Sequence, residues 1–248
     1  MASVSQTVVS SAGVRLRGRN GWVDRYFYFA MSLVTAGIVV WGFSHTVMSN
    51  LVRATPPRPH LLWVHGTVFS SWVIFYIVQT ALVRTRNVRI HRTLGWFGVG
   101  LGATMVVVGV WVSLVMGHFD LVAEHFADGP AFELVGFTDM LCFGTFLALA
   151  IRWRRKPVLH RPLMFIATCL LLDAAFARFD PIFNHHLWYW CVDGMILLGV
   201  ARDLVVDGRV NKVYRWALPA LVLLQLWVLH TVFGNVAWWQ HMSQRLMG

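Results

Sequence analysis

Three aspartates and a set of histidines carry most of the chemistry this sequence can offer. Asp139, Asp173 and Asp193 each stand inside a strongly apolar run, where a charged side chain is costly and calls for a partner or a function. His45, His65, His186 and His230 fall at a similar depth along their own runs. Imidazole and carboxylate together suit zinc, iron or copper, and imidazole alone suits haem iron. The expectation is one outward-facing pocket, lined by His45, His65, His230, Asp139, Asp173 and Asp193, that binds a transition metal or haem. No local pair fixes its geometry. His60 and His65 are five residues apart and point to different helix faces, His185 and His186 are adjacent, and nothing matches HExxH. In the simpler reading the histidines are interfacial side chains satisfied by water or backbone. The aspartates are then ion-pair partners, with Arg178 placed to join Asp173 or Asp180.

A second pair of histidines stands elsewhere. His91 and His160 occupy matching places at the starts of two apolar runs, each followed by Arg. They are alternative haem ligands bridging two helices, or else snorkelling residues at a membrane edge, with Arg92 and Arg161 on lipid phosphate. Their surroundings repeat. Ile90-His91-Arg92-Thr93-Leu94 returns as Leu159-His160-Arg161-Pro162-Leu163 and, more weakly, as Val213-Tyr214-Arg215-Trp216-Ala217. Each copy follows one apolar run and opens the next, which suggests three helix pairs on one plan, with Arg215 as the third lipid-facing arginine. Asp139 and Asp193 both lie 21 residues before the His or Tyr of the following copy, and Ser70 holds that place in the first pair.

The elements that position these residues follow from composition. Of 248 residues, 57% are hydrophobic and 13% charged. The apolar residues come in runs of about 20, the length of a bilayer-spanning helix. The expected fold is therefore an all-α, polytopic seven-helix bundle, with spans at 26–48, 61–83, 94–116, 133–152, 162–179, 186–203 and 215–237. Residues 1–25 form a basic N-terminal segment and 238–248 a short outer tail, and the first span is read as a retained anchor rather than a cleaved signal. Loop 118–132 is expected to form a short interfacial helix ending at Gly129-Pro130.

Seventeen of the 21 Lys and Arg residues then fall on one side: Arg15, Arg17, Arg19 and Arg25, the 84–92 and 152–161 loops, and the 202–215 loop. The positive-inside rule makes that side, and the N-terminus, cytoplasmic and the C-terminus external. Tryptophans near the span ends fit an interfacial belt.

The net charge of +10 sits in short loops between spans, so it speaks for anionic lipid at the cytoplasmic face rather than for nucleic acid. Cys142, Cys169 and Cys191 lie on three different spans and read as small core residues. Gly98-x-Gly100-x-Gly102 lies inside a span with no strand before it, so it reads as a helix-packing face and not a nucleotide site. The only lysines, Lys156 and Lys212, are in inner loops, so none can hold retinal. No P-loop is present.

His65-Gly66 with Gln79, His91-Arg92-x-Leu94-Gly95 and His160-Arg161-Pro162-Leu163-Met164 resemble a group of uncharacterised bacterial inner-membrane proteins. The likeness covers mainly spans 2 to 5 and implies architecture and location without an activity. Seven spans with His and Asp near one face are also similar to ceramidase-like membrane hydrolases, but these carry a paired HxxxH in the last span where this chain has only His230. Likeness to b561-type cytochromes is confined to histidines near both faces, and span 4 has none.

The leading expectation is a haem- or metal-binding protein for electron transfer or cofactor handling. The alternatives are a non-catalytic subunit or scaffold within a larger membrane complex, a proton-coupled small-solute transporter using Asp173 and Asp193, and a metal-dependent membrane hydrolase.

Overall fold

A computed structural model describes residues 21–126 and 129–248, so Arg15, Arg17, Arg19 and Asp128 lie outside the described residues. Those residues form helices and turns, with no strand among them. In chain order the α-helices are α1 (Gly21–Ser44), α2 (Leu61–Arg84), α3 (Val88–Val122), α4 (Gly129–Phe132), α5 (Leu134–Arg152), α6 (Pro157–Leu170), α7 (Asp173–Phe176), α8 (Asp180–Asn184), α9 (Trp188–Asp207), α10 (Lys212–Phe233) and α11 (Ala237–Met247), with a π-helical turn at Met48–Val52 between α1 and α2.

Six segments are long and apolar enough to cross a membrane: α1, α2, α3, Gly129–Arg152, Pro157–Phe176 and α10. In the outer ones most of the apolar surface is left uncovered by the protein. Only 11% of the apolar window in α2 and 22% of that in α1 is buried. A water-soluble fold would bury such faces, so this is the construction of a multi-pass membrane protein. The seventh expected span coincides with α9, which fails the same test because it is charged. Even its least charged stretch of 18 residues, 188–205, contains Asp193, Arg202 and Asp203.

Local chemistry sets the breaks. Pro56, Pro57 and Pro59 fill the link from α1 to α2, where missing N–H groups end helical pairing. Pro157 sits in the first turn of α6 and Pro181 in that of α8, where a proline N–H is not needed. Gly208 ends α9 in the left-handed conformation, φ 66°.

One expectation is corrected. No helix ends at Gly129-Pro130. α3 runs on to Val122 and α4 begins at Gly129, since proline favours a first helical turn over a last one. The expected outer tail, residues 238–248, falls almost wholly on α11, which buries Trp239 and Met247. Trp239 Nε1 donates to the Ala131 carbonyl at 2.8 Å, and His118 Nδ1 donates to the Met247 carbonyl at 2.6 Å.

The main core lies among α1, α2, α3, α5, α6, α9 and α10, around Trp72, Phe143, Leu163, Phe165 and Ile196. A smaller cluster around Trp188, Tyr189 and Trp239 closes one end. Gly98 and Gly102 do the packing expected of them. A Cβ at Gly98 would strike the Phe75 ring, and one at Gly102 would strike Leu147, so α3 approaches both α2 and α5 closely.

The charges separate by end. Arg84 lies over Tyr26 and Phe29, Arg154 over Trp96, and Arg161 and Arg202 reach Asp24. At the other end Arg58 bridges Asp120 (3.6 Å) and Glu124 (2.7 Å). These are termed the basic end and the acidic-loop end.

Candidate functional site

The span Pro157–Phe176 is broken at Leu171 and Leu172, between α6 and α7. Around the break the backbone bonds tighten to i→i+3, with Leu171 N to Thr168 O at 3.3 Å and Leu172 N to Cys169 O at 3.0 Å. Such a tightened turn inside a span often marks a functional hinge. Asp173 is the first residue after the break. It is buried, and its carboxyl is within hydrogen-bonding reach of that of Asp139 on α5. Two bare carboxylates at that range would repel, and a proton shared between them would remove the repulsion. Tyr189 of α9 stands beside the pair, near Thr138. The Thr138 hydroxyl itself donates to the Leu134 and Val135 carbonyls at 2.8 and 2.9 Å. Three helices thus meet on one protonatable pair.

Arg178, one turn beyond Asp173, is electrostatically coupled to it, but its guanidinium lies 5.1 Å over the Phe43 ring. The anticipated Arg178–Asp180 ion pair is absent among the described residues. Phe179 between them is extended (φ −98°, ψ 116°), and Asp180 turns away to open α8, where a carboxylate is favoured by the helix dipole.

The other candidates do not converge. Asp193 is buried on α9 and accepts from Gln225 Nε2 at 3.2 Å. His45 is exposed, its Nδ1 donating to the Trp41 carbonyl at 2.8 Å. His65 stacks on Phe69 with ring centres 4.0 Å apart, and its Nδ1 is buried without a protein partner. His186 stacks on Phe233 at 3.8 Å, and His230 is exposed on α10. Among the described residues no three of His, Cys, Asp or Glu lie close enough together to hold a metal ion.

The repeated turns bring His91 and His160 together. Their ring centres are 6.3 Å apart with planes at 75°, and His160 Nδ1 donates to the Ala150 carbonyl at 2.9 Å. That bond fixes the tautomer and leaves Nε2 with a free lone pair. Arg92 and Arg215 are exposed, and Arg161 lies 3.5 Å from Asp24.

Sequence reasoning missed Tyr189, Thr138 and Gln225, and it missed a network at the basic end. There Arg202, read as a loop residue, is nearly enclosed. It bonds Asp24, Asp203 (2.7 Å) and Asp207 (2.8 Å) at once. The available signal was α9 itself, an expected span with adjacent charges, Arg202 and Asp203, at its end.

The chain matches no protein-family model, no curated protein and no solved structure. What the fold defines is a class: a helical multi-pass membrane protein with a carboxyl pair at a broken span.

Proposed function

We propose that this protein is a proton-coupled carrier of a small solute in the bacterial inner membrane, with the Asp139–Asp173 pair as its proton site. In this reading α9 is the seventh span and the basic end faces the cytoplasm. The observation that carries it is the meeting of the two carboxyls at the break between α6 and α7. Broken spans with polar groups at the break are how many secondary transporters build a substrate and ion site near the middle of the bilayer. Adding a proton joins α5 to α7, and removing it sets two negative charges against each other. The pair therefore has two states, each favouring a different arrangement of these helices.

Two measurements test it. The infrared spectrum of the wild type contains the carbonyl stretch of a protonated, hydrogen-bonded carboxyl. The Asp139→Asn/Asp173→Asn double variant lacks that band, and persistence of the band there would remove the proposal. In proteoliposomes screened with small solutes, uptake driven by a proton gradient is lost in Asp173→Asn.

A second reading keeps haem or a transition metal, now at His91 and His160. Its support is their close approach, the anchored Nδ1 of His160, and the return of the same turn in the sequence. It implies an electron-transfer or cofactor-handling role. An oxidised and reduced absorption spectrum with metal analysis decides it. A Soret band that shifts on reduction and is lost in His160→Ala supports it, and a colourless, metal-free protein ends it.

A further inference from the structure

The basic end contains a cleft of about 610 Å³ between α1, the start of α6, the end of α9 and the start of α10. Its charged lining is five cations, Arg161, Arg202, Arg209, Lys212 and Arg215, and three carboxylates, Asp24, Asp203 and Asp207. All three carboxylates are taken by Arg202, and Arg161 shares Asp24. Arg209, Lys212 and Arg215 make no ion pair among the described residues. The cleft wall also holds an unused donor, because Arg202, with its side chain 9% exposed, has a buried Nε without a protein acceptor.

The backbone adds to this field. The N-termini of both α6 and α10 open on the cleft, and neither has an acidic residue in its first turn. α10 starts instead with Lys212 and carries Arg215 in its first turn. A cation at the positive end of a helix dipole is unfavourable unless an anion offsets it.

The cleft is also held in shape. Pro162 has no N–H for the Val158 carbonyl, and Asn211 Nδ2 donates to that carbonyl at 2.8 Å. The Asn211 side chain caps α10 through Val213 N at 3.0 Å, and Asn211 N donates to Asp203 Oδ2 at 3.0 Å. One asparagine thus ties together the two helix starts and the Arg202 network.

We propose that this cleft binds a phosphate-bearing anion, held by Arg209, Lys212 and Arg215 at the N-termini of α6 and α10, with Arg202 and its aspartates as the fixed wall. Arg and Lys donors with helix N-termini are the ordinary recognition chemistry of phosphate oxygens. The source is either the headgroup of an anionic phospholipid or a soluble phosphate compound. The inference is independent of the proton site.

The test uses the full chain in mild detergent, with phosphatidylglycerol and inorganic phosphate as probes and phosphatidylcholine as the uncharged reference. Retained lipid is read by native mass spectrometry. The variant Arg209→Gln/Lys212→Gln/Arg215→Gln alters exposed side chains only. Its control, Arg86→Gln/Arg89→Gln/Arg155→Gln, removes equal charge from exposed residues at the same end but outside the cleft. Nonspecific attraction to an anionic surface would weaken both variants alike. The cleft variant is expected to lose retention about tenfold or more beyond the control, as for loss of charge-assisted hydrogen bonds. Displacement of the lipid by inorganic phosphate assigns the site to soluble phosphates, and retention despite phosphate assigns it to the lipid. Equal loss in both triple variants, or no preference of the wild type for phosphatidylglycerol over phosphatidylcholine, overturns the proposal.

Discussion

Two regions of this molecule solve the problem of charge inside the fold in opposite ways. At the basic end Arg202 supplies one cation to three carboxylates, and Asn211 fills a remaining acceptor on Asp203. Deeper in the bundle, Asp139 and Asp173 face each other, and Arg178 is turned onto the Phe43 ring. The first arrangement is locked, because every carboxylate has a fixed positive partner. In the reading proposed above, the second depends on a proton that the pair shares. A network of ion pairs suits a rigid corner of the fold, and a carboxyl pair at a helix break suits a moving part.

Substitutions that act oppositely on the two regions sharpen this contrast. The largest effect is expected from Arg202→Ala. It leaves Asp203, 2% exposed, without its counter-charge, and breaking a buried pair from one side costs roughly 3–5 kcal/mol. A denaturation series in mild detergent reads this loss, and a variant as stable as wild type would dissolve the distinction. Next comes Asp203→Asn, which weakens the bond to Arg202 and confronts the Asn211 N–H or the guanidinium with an amide NH₂. A loss of about 1–3 kcal/mol is expected by the same measurement.

The same change at the other site has a different outcome. Asp139→Asn supplies its own donor hydrogens, so the bond to Asp173 survives without a borrowed proton. Stability is expected to stay within about 1 kcal/mol of wild type, while proton-driven uptake is abolished. A large destabilisation by Asp139→Asn would mean that the pair is held as the Arg202 network is, by charge. The smallest effect is expected at Asp193→Asn, where Gln225 can donate equally well to an amide oxygen. Stability should change by about 0.5 kcal/mol or less, with uptake intact. Loss of uptake there would move the functional site from α7 to α9.

Much of the candidate site was legible one residue at a time. Asp139, Asp173 and Asp193 stand out because a carboxylate in an apolar run is rare and costly. Depth along the chain, however, grouped Asp139 with Asp193, as matching members of a repeat. The fold pairs Asp139 with Asp173 and leaves Asp193 to Gln225. His45 and His230 have the right depth and the wrong rotation, since both lie on exposed faces. His91 and His160 show the reverse. A repeated motif made them stand out, and they do meet.

The sequence by itself determined the helical class, the apolar spans, the segregation of basic loops and the residues too polar for their surroundings. These depend on composition and period along one chain, which hydropathy and helix geometry read directly. Tertiary structure decided the rest. It broke the Pro157–Phe176 span beside Asp173, enclosed Arg202 and gave Asn211 its partners. Each of these depends on how a helix is turned about its own axis, and that turn is set by packing against neighbours distant in sequence.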